Sequence, residues 1–192
     1  MKTLQINFLR TLFSLSIIAL LLPACTESNS STNKKAAVEV DEPEMDIQTA
    51  VISGNLEAVK QHIEAGTDLN EKEQFSGSTP LISAVTFDKR EIAQALIDAG
   101  VDLSAKNNDG STALHSAAFF GRVEIVQMLL DAKADKTVRN NFGATARESV
   151  IGPFAEVKPI YEMLEQQLSP MGLQLDMNEL EKTRPVVAMM LQ

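Results

Sequence analysis

Few residues of this chain could perform acid–base, nucleophilic or metal chemistry. The sequence holds two histidines, His62 and His115, and a single cysteine. Ser116 follows His115, but the Gly-x-Ser-x-Gly turn that exposes a hydrolase nucleophile does not occur in the sequence. Two isolated histidines do not supply the three or four ligands of a zinc site. We therefore predict no catalytic residue, no metal site and no cofactor.

The composition also excludes classes of ligand. The net charge of −9 argues against nucleic acid, because phosphate binding needs a basic face. The glycines recur at long intervals and do not cluster in a phosphate-binding loop. Neither a nucleic acid nor a small-molecule substrate is expected as a partner.

The cysteine, Cys25, ends an N-terminal targeting pattern. Lys2 and Arg10 flank a polar start, and residues 11–22 (TLFSLSIIALLL) are almost wholly apolar. This run is shorter than the roughly 20 residues that span a membrane, and it leads to a small residue before a cleavage point. Residues 1–24 are predicted to be a signal peptide.

The segment Leu22-Pro23-Ala24-Cys25 resembles the lipobox of bacterial lipoproteins. In that family the cysteine is acylated and becomes the new N-terminus, so the resemblance implies a lipid anchor at Cys25. Thr26, where an aspartate would favour the inner membrane, implies the periplasmic face of the outer membrane. A plain secretory signal with an incidental cysteine, or an uncleaved anchor, is the alternative. Residues 25–44 are polar and Ser-rich, and we predict that they form the acylated cysteine and a flexible tether.

Two short sequence motifs recur at a nearly fixed interval from about residue 45. The first is GSTPL, which returns as GSTAL and more faintly as GATAR, with its threonines 33 residues apart at Thr79, Thr112 and Thr145. The second is EAGTDL, which returns as DAGVDL and DAKAD at intervals of 34 and 33 residues. The extra residue lies in the loop between Asn70 and Thr79.

The period and the two motifs resemble the ankyrin repeat. The segment that matches best is DGSTALHSAAFFGRVEIVQMLLDAKAD. The resemblance covers residues 45–168. It implies an all-α solenoid of about four helix-turn-helix repeats with short hairpin-like turns, and residues 169–192 would add a C-terminal helical cap. Because one helix pair cannot bury its apolar stripe alone, neighbouring repeats must stack.

Individual residues of the repeats have predictable local roles. Thr79 suits a helix N-cap and Pro80 the first helical position. Asp88 and Lys133 stand where other repeats have glycine, so both are expected in the left-handed conformation. The resemblance implies that His115 bonds to the backbone of a neighbouring turn, whereas His62 is expected at the surface or an edge.

The C-terminal residues leave the repeat pattern at Gly152-Pro153. One helix is expected from about Ala155 to Leu168. A last short helix would follow, capped by Asp176 or Asn178 and stopped or kinked by Pro185. The apolar end, VVAMMLQ, is expected either to cap the stack beside repeat four or to form a Met-rich hook for a partner.

The ankyrin resemblance also places a partner surface at the turn tips and the ends of the first helices. Phe87 and Phe120 share one repeat position, as do the basic residues Lys72, Lys106 and Arg139. The alternatives are that the phenylalanines pack as core and that the basic row is solubilising charge. The predicted partner-binding residues are Phe75, Phe87, Lys106, Asn108, Phe119, Phe120, Arg139 and Phe142.

Taken together, these features predict a non-catalytic protein-binding module. Its partner would be an unidentified envelope protein, and its membrane attachment would run through Cys25. A structural spacer in the envelope and a periplasmic hydrolase are the alternatives.

Overall fold

The computed structural model describes residues 43–192. The predicted signal peptide, the lipidation site Cys25 and nearly all of the tether lie outside the described residues. Within the described part, the bounds of the α-helices are α1 Ile47–Ser53, α2 Leu56–Ala65, α3 Pro80–Thr86, α4 Arg90–Asp98, α5 Ala113–Phe119, α6 Val123–Asp131, α7 Phe154–Leu168 and α8 Met177–Met190. A short 3₁₀ helix, Ser169–Met171, follows α7.

The helix boundaries follow from capping residues that the repeats share. The Asp46 carboxylate accepts from the Thr49 N–H at 2.9 Å to start α1, and the Thr79 hydroxyl accepts from the Ile82 N–H at 3.3 Å to start α3. Pro80 is the first residue of α3, where its missing N–H has no partner to lose. The predicted N-cap and proline positions are therefore confirmed.

Three helix pairs stack so that first helices contact first helices and second helices contact second helices. Thus α3 lies between α1 and α5, and α4 lies between α2 and α6. Ala84, Ala117 and Ala118 are fully buried and let the first helices approach closely. The second helices contribute Ile92, Leu96, Val126 and Leu129, each at most 2% exposed. These side chains of the stacked helices therefore form one continuous core.

The chain departs from the repeat pattern after the third pair. Residues 146–150 form turns where a first helix is expected. Helix α8 packs on the third pair, against both α5 and α6. Val187 of α8 is 0% exposed, and Leu191, the residue that caps its C-terminus, is 4% exposed. Of the two C-terminal alternatives, the structure shows the cap, but it docks on the third repeat.

The expectation that Pro185 stops a short last helix is wrong, whereas a kink at Pro185 stays a prediction. Helix α8 runs from Met177 to Met190 with Pro185 inside it. An interior proline costs about 3 kcal/mol, yet Leu180, Val187 and Leu191 around it are buried. Burying each such side chain contributes about 1.5–3 kcal/mol, so docking offsets the lost hydrogen bond.

Candidate functional site

The first helices and the turn tips line an apolar groove along one face of the stack. Its volume is about 820 Å³. Ile52, Ile82 and Phe87 line it from the first two repeats, and Phe75 and Phe142 line it from the tips of two turns. The repeat period brings these side chains together, since residues one repeat apart become neighbours in the stack.

All five phenylalanines of the predicted partner surface line this groove: Phe75, Phe87, Phe119, Phe120 and Phe142. Their exposure differs widely. Phe75 is 96% exposed and Phe142 is 80% exposed, whereas Phe87 and Phe119 are half-buried. Large exposed aromatic side chains beside an apolar groove are typical of an interaction surface.

Phe120 belongs mainly to the core. It is 8% exposed, meets the Phe119 ring edge-on at 5.1 Å between centroids, and has the Arg122 guanidinium 6.0 Å from its ring centroid. This position agrees with the alternative that the phenylalanine packs as core. Replacing Phe120 would therefore disturb the fold as well as the groove.

The polar members of the predicted surface lie along the turns, outside the groove lining. The Asn108 side-chain amide donates to the Phe75 carbonyl at 2.8 Å, and the Lys106 ammonium donates to the Arg139 carbonyl at 3.0 Å. Arg139 pairs with Glu148 at 2.6 Å. These three residues link adjacent turns, and their part in binding a partner stays a prediction.

The turns also pair through their backbones. The Asn108 N–H donates to the Ser76 carbonyl at 2.8 Å, and the Asn141 N–H donates to the Asp109 carbonyl at 2.9 Å. The close approach of neighbouring turns requires glycine at the tip, because a Cβ at Gly110 would lie 2.4 Å from the Asn141 Oδ1. The turn row is thus a rigid support for Phe75 and Phe142.

The two histidines are structural. His115 donates through Nε2 to the Ala144 carbonyl at 3.1 Å, and its Nδ1 accepts from the Thr112 N–H at 3.3 Å, as the resemblance implies. Burial lowers the pKa of His115, and the nearby Lys106 acts in the same direction, while the bond to Ala144 opposes it. A neutral imidazole fits this pattern of one donor and one acceptor.

The expectation that His62 lies at the surface is wrong. His62 is 6% exposed. It donates to the Met45 carbonyl at 2.8 Å, and its Nδ1 accepts from the Thr67 hydroxyl at 3.0 Å. The imidazole thereby ties the entry of the first repeat to the end of its second helix, a contact that helical spacing alone does not reveal.

Helix α7 forms a second wall of the groove that the sequence reasoning missed. Ile160, Leu164 and Leu168 line the groove from α7, with Met171 from the turn beyond it. The spacing i, i+4, i+8 places the three on one helical face. The sequence predicts this helix, but the ankyrin resemblance places the partner surface only on the turn tips and the first helices.

A buried tyrosine fastens α7 to the repeats. Tyr161 is fully buried, and its hydroxyl donates to the Phe119 carbonyl at 2.6 Å. The same hydroxyl accepts from Arg184 of α8 at 2.8 Å. Burial raises the pKa of Tyr161 and Arg184 partly opposes this, so the phenol keeps the proton that it donates.

The described residues contain no cluster of three or more His, Cys, Asp or Glu that could hold a metal ion. Over the same residues, 43–192, no helix is both long and apolar enough to cross a membrane.

Comparison with known proteins supports the repeat assignment. A family described as "Ankyrin repeats (3 copies)" matches residues 47–140. A stretch of 63 residues is 41% identical to protein phosphatase 1 regulatory subunit 27 of Homo sapiens and equally to that of Mus musculus. The match covers 33% of this chain and only 40% of the length of each relative.

A solved structure shares the fold. The ankyrin repeat domain of Bcl-3, described as a unique member of the IkappaB protein family, superposes with a TM-score of 0.52 at 31% identity. The match covers 54% of this chain and 45% of that chain. Residues 47–140 of this chain therefore belong to the ankyrin-repeat family, and α7 and α8 extend beyond the matched repeats.

Proposed function

We propose that this chain is a non-catalytic protein-binding module that holds its partner in the groove. The observation that carries the proposal is the set of phenylalanines on one groove, two of them almost fully exposed at rigid turn tips. Exposed aromatic rings that a support holds in place lose little conformational entropy when a partner covers them. The similarity to a protein named as a regulatory subunit supports a role exercised through another protein.

The test is capture of a partner by crosslinking and mass spectrometry from native envelopes. The wild-type full chain is compared with the double variant Phe75→Ala/Phe142→Ala. Both side chains are exposed, so the variant keeps its core. Met189→Ala is the matched control, because Met189 is an exposed apolar residue, 61% exposed, outside the groove lining.

We expect one dominant partner that the double variant loses and the control keeps. Equal capture by all three chains would reject the groove as the binding surface. A lack of any specific partner in the wild-type sample would favour the structural-spacer alternative.

We further propose that the module is anchored in a bacterial envelope through acylation of Cys25. The lipobox resemblance at residues 22–25 supports this, together with the short apolar run before it. Acyl chains contribute about 0.8 kcal/mol per buried methylene, so several of them hold a protein firmly. Cys25→Ser should release the protein from the membrane fraction or leave its precursor uncleaved. Unchanged fractionation and unchanged mass would reject the anchor.

A further inference from the structure

The groove has two walls of different origin. One wall is the repeat stack, with Phe87 and Phe119 at the ends of first helices. The other is the face of α7 that carries Ile160, Leu164 and Leu168. Ile160 is 44% exposed, and the other two are half-buried, so the α7 face remains open toward the groove. The three residues span eight positions, or about 12 Å of helix axis.

Several polar groups around this groove are paired within the protein. The Gln48 amide donates to the Ser78 carbonyl at 3.1 Å and accepts from the Ser83 hydroxyl at 2.9 Å. His115 is bonded on both ring nitrogens, and adjacent turns are bonded to each other. An extended peptide would need hydrogen-bond partners for its backbone. A helix pairs its own backbone groups and needs only an apolar surface.

The charge at the groove points to the character of that helix. Among the described residues that line the groove, Glu73 and Asp109 are acidic, at two turn tips, and none is lysine or arginine. Burial raises the pKa of Glu73, but hydrogen bonds from Ser76 and from backbone N–H groups together lower it by more. The net shift of the pKa is therefore downward. The Glu73 carboxylate is therefore anionic at neutral pH, and the chain as a whole carries a net charge of −9. Complementary charge on a partner would be basic.

We propose that the groove between the repeat stack and α7 binds a basic amphipathic α-helix of a partner protein. Its apolar stripe packs between Phe87, Phe119 and Leu164, and lysines or arginines on its flank face Glu73 and Asp109. The assignment rests on the proposed binding function and adds to it the secondary structure and charge of the bound segment. It also makes α7 half of the site, although α7 lies outside the ankyrin repeats.

The probe is a synthetic peptide of about 18 residues, made of leucine and lysine in an order that places every leucine on one helical face. A peptide of the same composition in an order without such a face is the first control, and a leucine–glutamate peptide is the second. Within the described residues, 43–192, the buried core runs from Ile47 to Leu191. This segment is used without lipid or detergent, which would themselves bind the peptides, once circular dichroism has shown that it is folded.

Binding is measured by fluorescence anisotropy against matched variants of α7. Ile160→Ala/Leu164→Ala removes the groove face and should raise the Kd about tenfold or more. Met163→Ala removes an exposed apolar side chain, 49% exposed, from the same helix but outside the groove lining, and should change the Kd less than about twofold. Glu73→Gln/Asp109→Asn should weaken the lysine peptide and remove its advantage over the glutamate peptide.

Several results would overturn the inference. They are equal binding of the control-order peptide, equal losses in the Met163 and Ile160/Leu164 variants, or no saturable binding to the wild type. A dimer that excludes the peptide would assign the groove to a second copy of the chain. If the Phe75/Phe142 variant loses the envelope partner while the α7 variant keeps the peptide, the binding function stands and the helix assignment fails.

Discussion

At the scale of single residues, two positions carry backbone strain that glycine avoids elsewhere in the stack. Asp88 has φ +52° and Lys133 has φ +67°, as expected from their places in the repeat. Asp88 has a compensating role, since its carboxylate lies 3.2 Å from Arg90 and 3.5 Å from Arg122. The pair with Arg122 fastens the second repeat to the third. Lys133 is exposed and has no such contact among the described ion pairs.

Lys133→Gly is therefore expected to stabilise the protein. Replacing a non-glycine residue in the left-handed conformation by glycine should raise the free energy of unfolding by about 1 kcal/mol. For a chain of this size, that corresponds to about 2–4 °C in Tm. The reverse change Gly100→Lys is the matched control, because Gly100 has φ +79° and a Cβ there meets nothing within 4 Å. Thermal unfolding by circular dichroism measures both. A lower Tm for Lys133→Gly would contradict the strain argument.

His115 should make stability depend on pH. Its folded pKa lies below the ordinary value of 6.5, mainly because of burial. The unfolded chain then binds more protons than the folded chain between the two pKa values, so stability falls as pH drops below about 6.5 and is full above it. Urea unfolding at pH 7.5 and pH 5.5 measures the loss. The His115→Gln variant should lose less stability over this window than the wild type. Equal losses would show that His115 does not cause the dependence.

At the scale of elements, the cap helix α8 sits where a glycine lets it approach. Gly121 ends the turn after α5 with φ +63°, and a Cβ there would stand 2.4 Å from the Thr183 Oγ1 and 3.1 Å from a Leu180 methyl carbon. Gly54 holds the corresponding position in the first repeat, where the nearest atom is the flexible end of Lys89 at 3.4 Å. Both glycines hold a left-handed turn, but only Gly121 also leaves room for a packed helix, because α8 docks beside it.

Gly121→Ala should destabilise the protein more than Gly54→Ala. Both variants bear the left-handed strain of about 1 kcal/mol, but only Gly121→Ala adds overpacking, which costs about 1–3 kcal/mol. Denaturant unfolding gives the difference between the two. Adding Thr183→Ala to Gly121→Ala should recover part of the loss. Equal destabilisation of the two glycine variants would mean that α8 does not pack as described.

At the scale of the whole molecule, the cap and the repeats should unfold together. Val187 of α8 is fully buried, and α8 contacts both helices of the third repeat. In a repeat stack, the free energy of unfolding is a sum of repeat and interface terms. When a terminal helix unfolds, its neighbour loses their shared interface and becomes less stable. The chain holds one tyrosine, Tyr161, and no tryptophan. Tyrosine fluorescence therefore reports on α7, while circular dichroism reports on all the helices.

The two signals should give coincident urea transitions in the wild type, the signature of a cooperative unit. Val187→Asp, which buries an unpaired charge, should shift the fluorescence transition to clearly lower urea. Val186→Asp is the control, because Val186, which precedes Val187 on α8, is 40% exposed and should tolerate the charge. A fluorescence transition that precedes the dichroism transition in the wild type would show that the C-terminal helices are only loosely coupled.

The sequence determined the repeats because their information is local and recurs. Capping residues, the left-handed positions and the alanines at close contacts each act within a few residues of their neighbours, and a period of 33 residues brings equivalent side chains such as Phe87 and Phe120 to one face. The phenylalanines of the groove could therefore be named before the structure. The exposed fraction of each phenylalanine could not be predicted from the sequence. Phe120, for example, is covered by Phe119 and Arg122, and the directions of those side chains depend on packing.

The tertiary structure decided the C-terminal part, where the period stops and contacts come from residues distant in sequence. Tyr161 bonds to Phe119 and Arg184, which lie 42 and 23 positions away, and no local pattern encodes such pairs. Pro185 indicates a helix end locally, yet burial of the apolar residues around it outweighs that preference. For the same reason, only the folded chain shows that α7 faces the repeats across the groove and completes it.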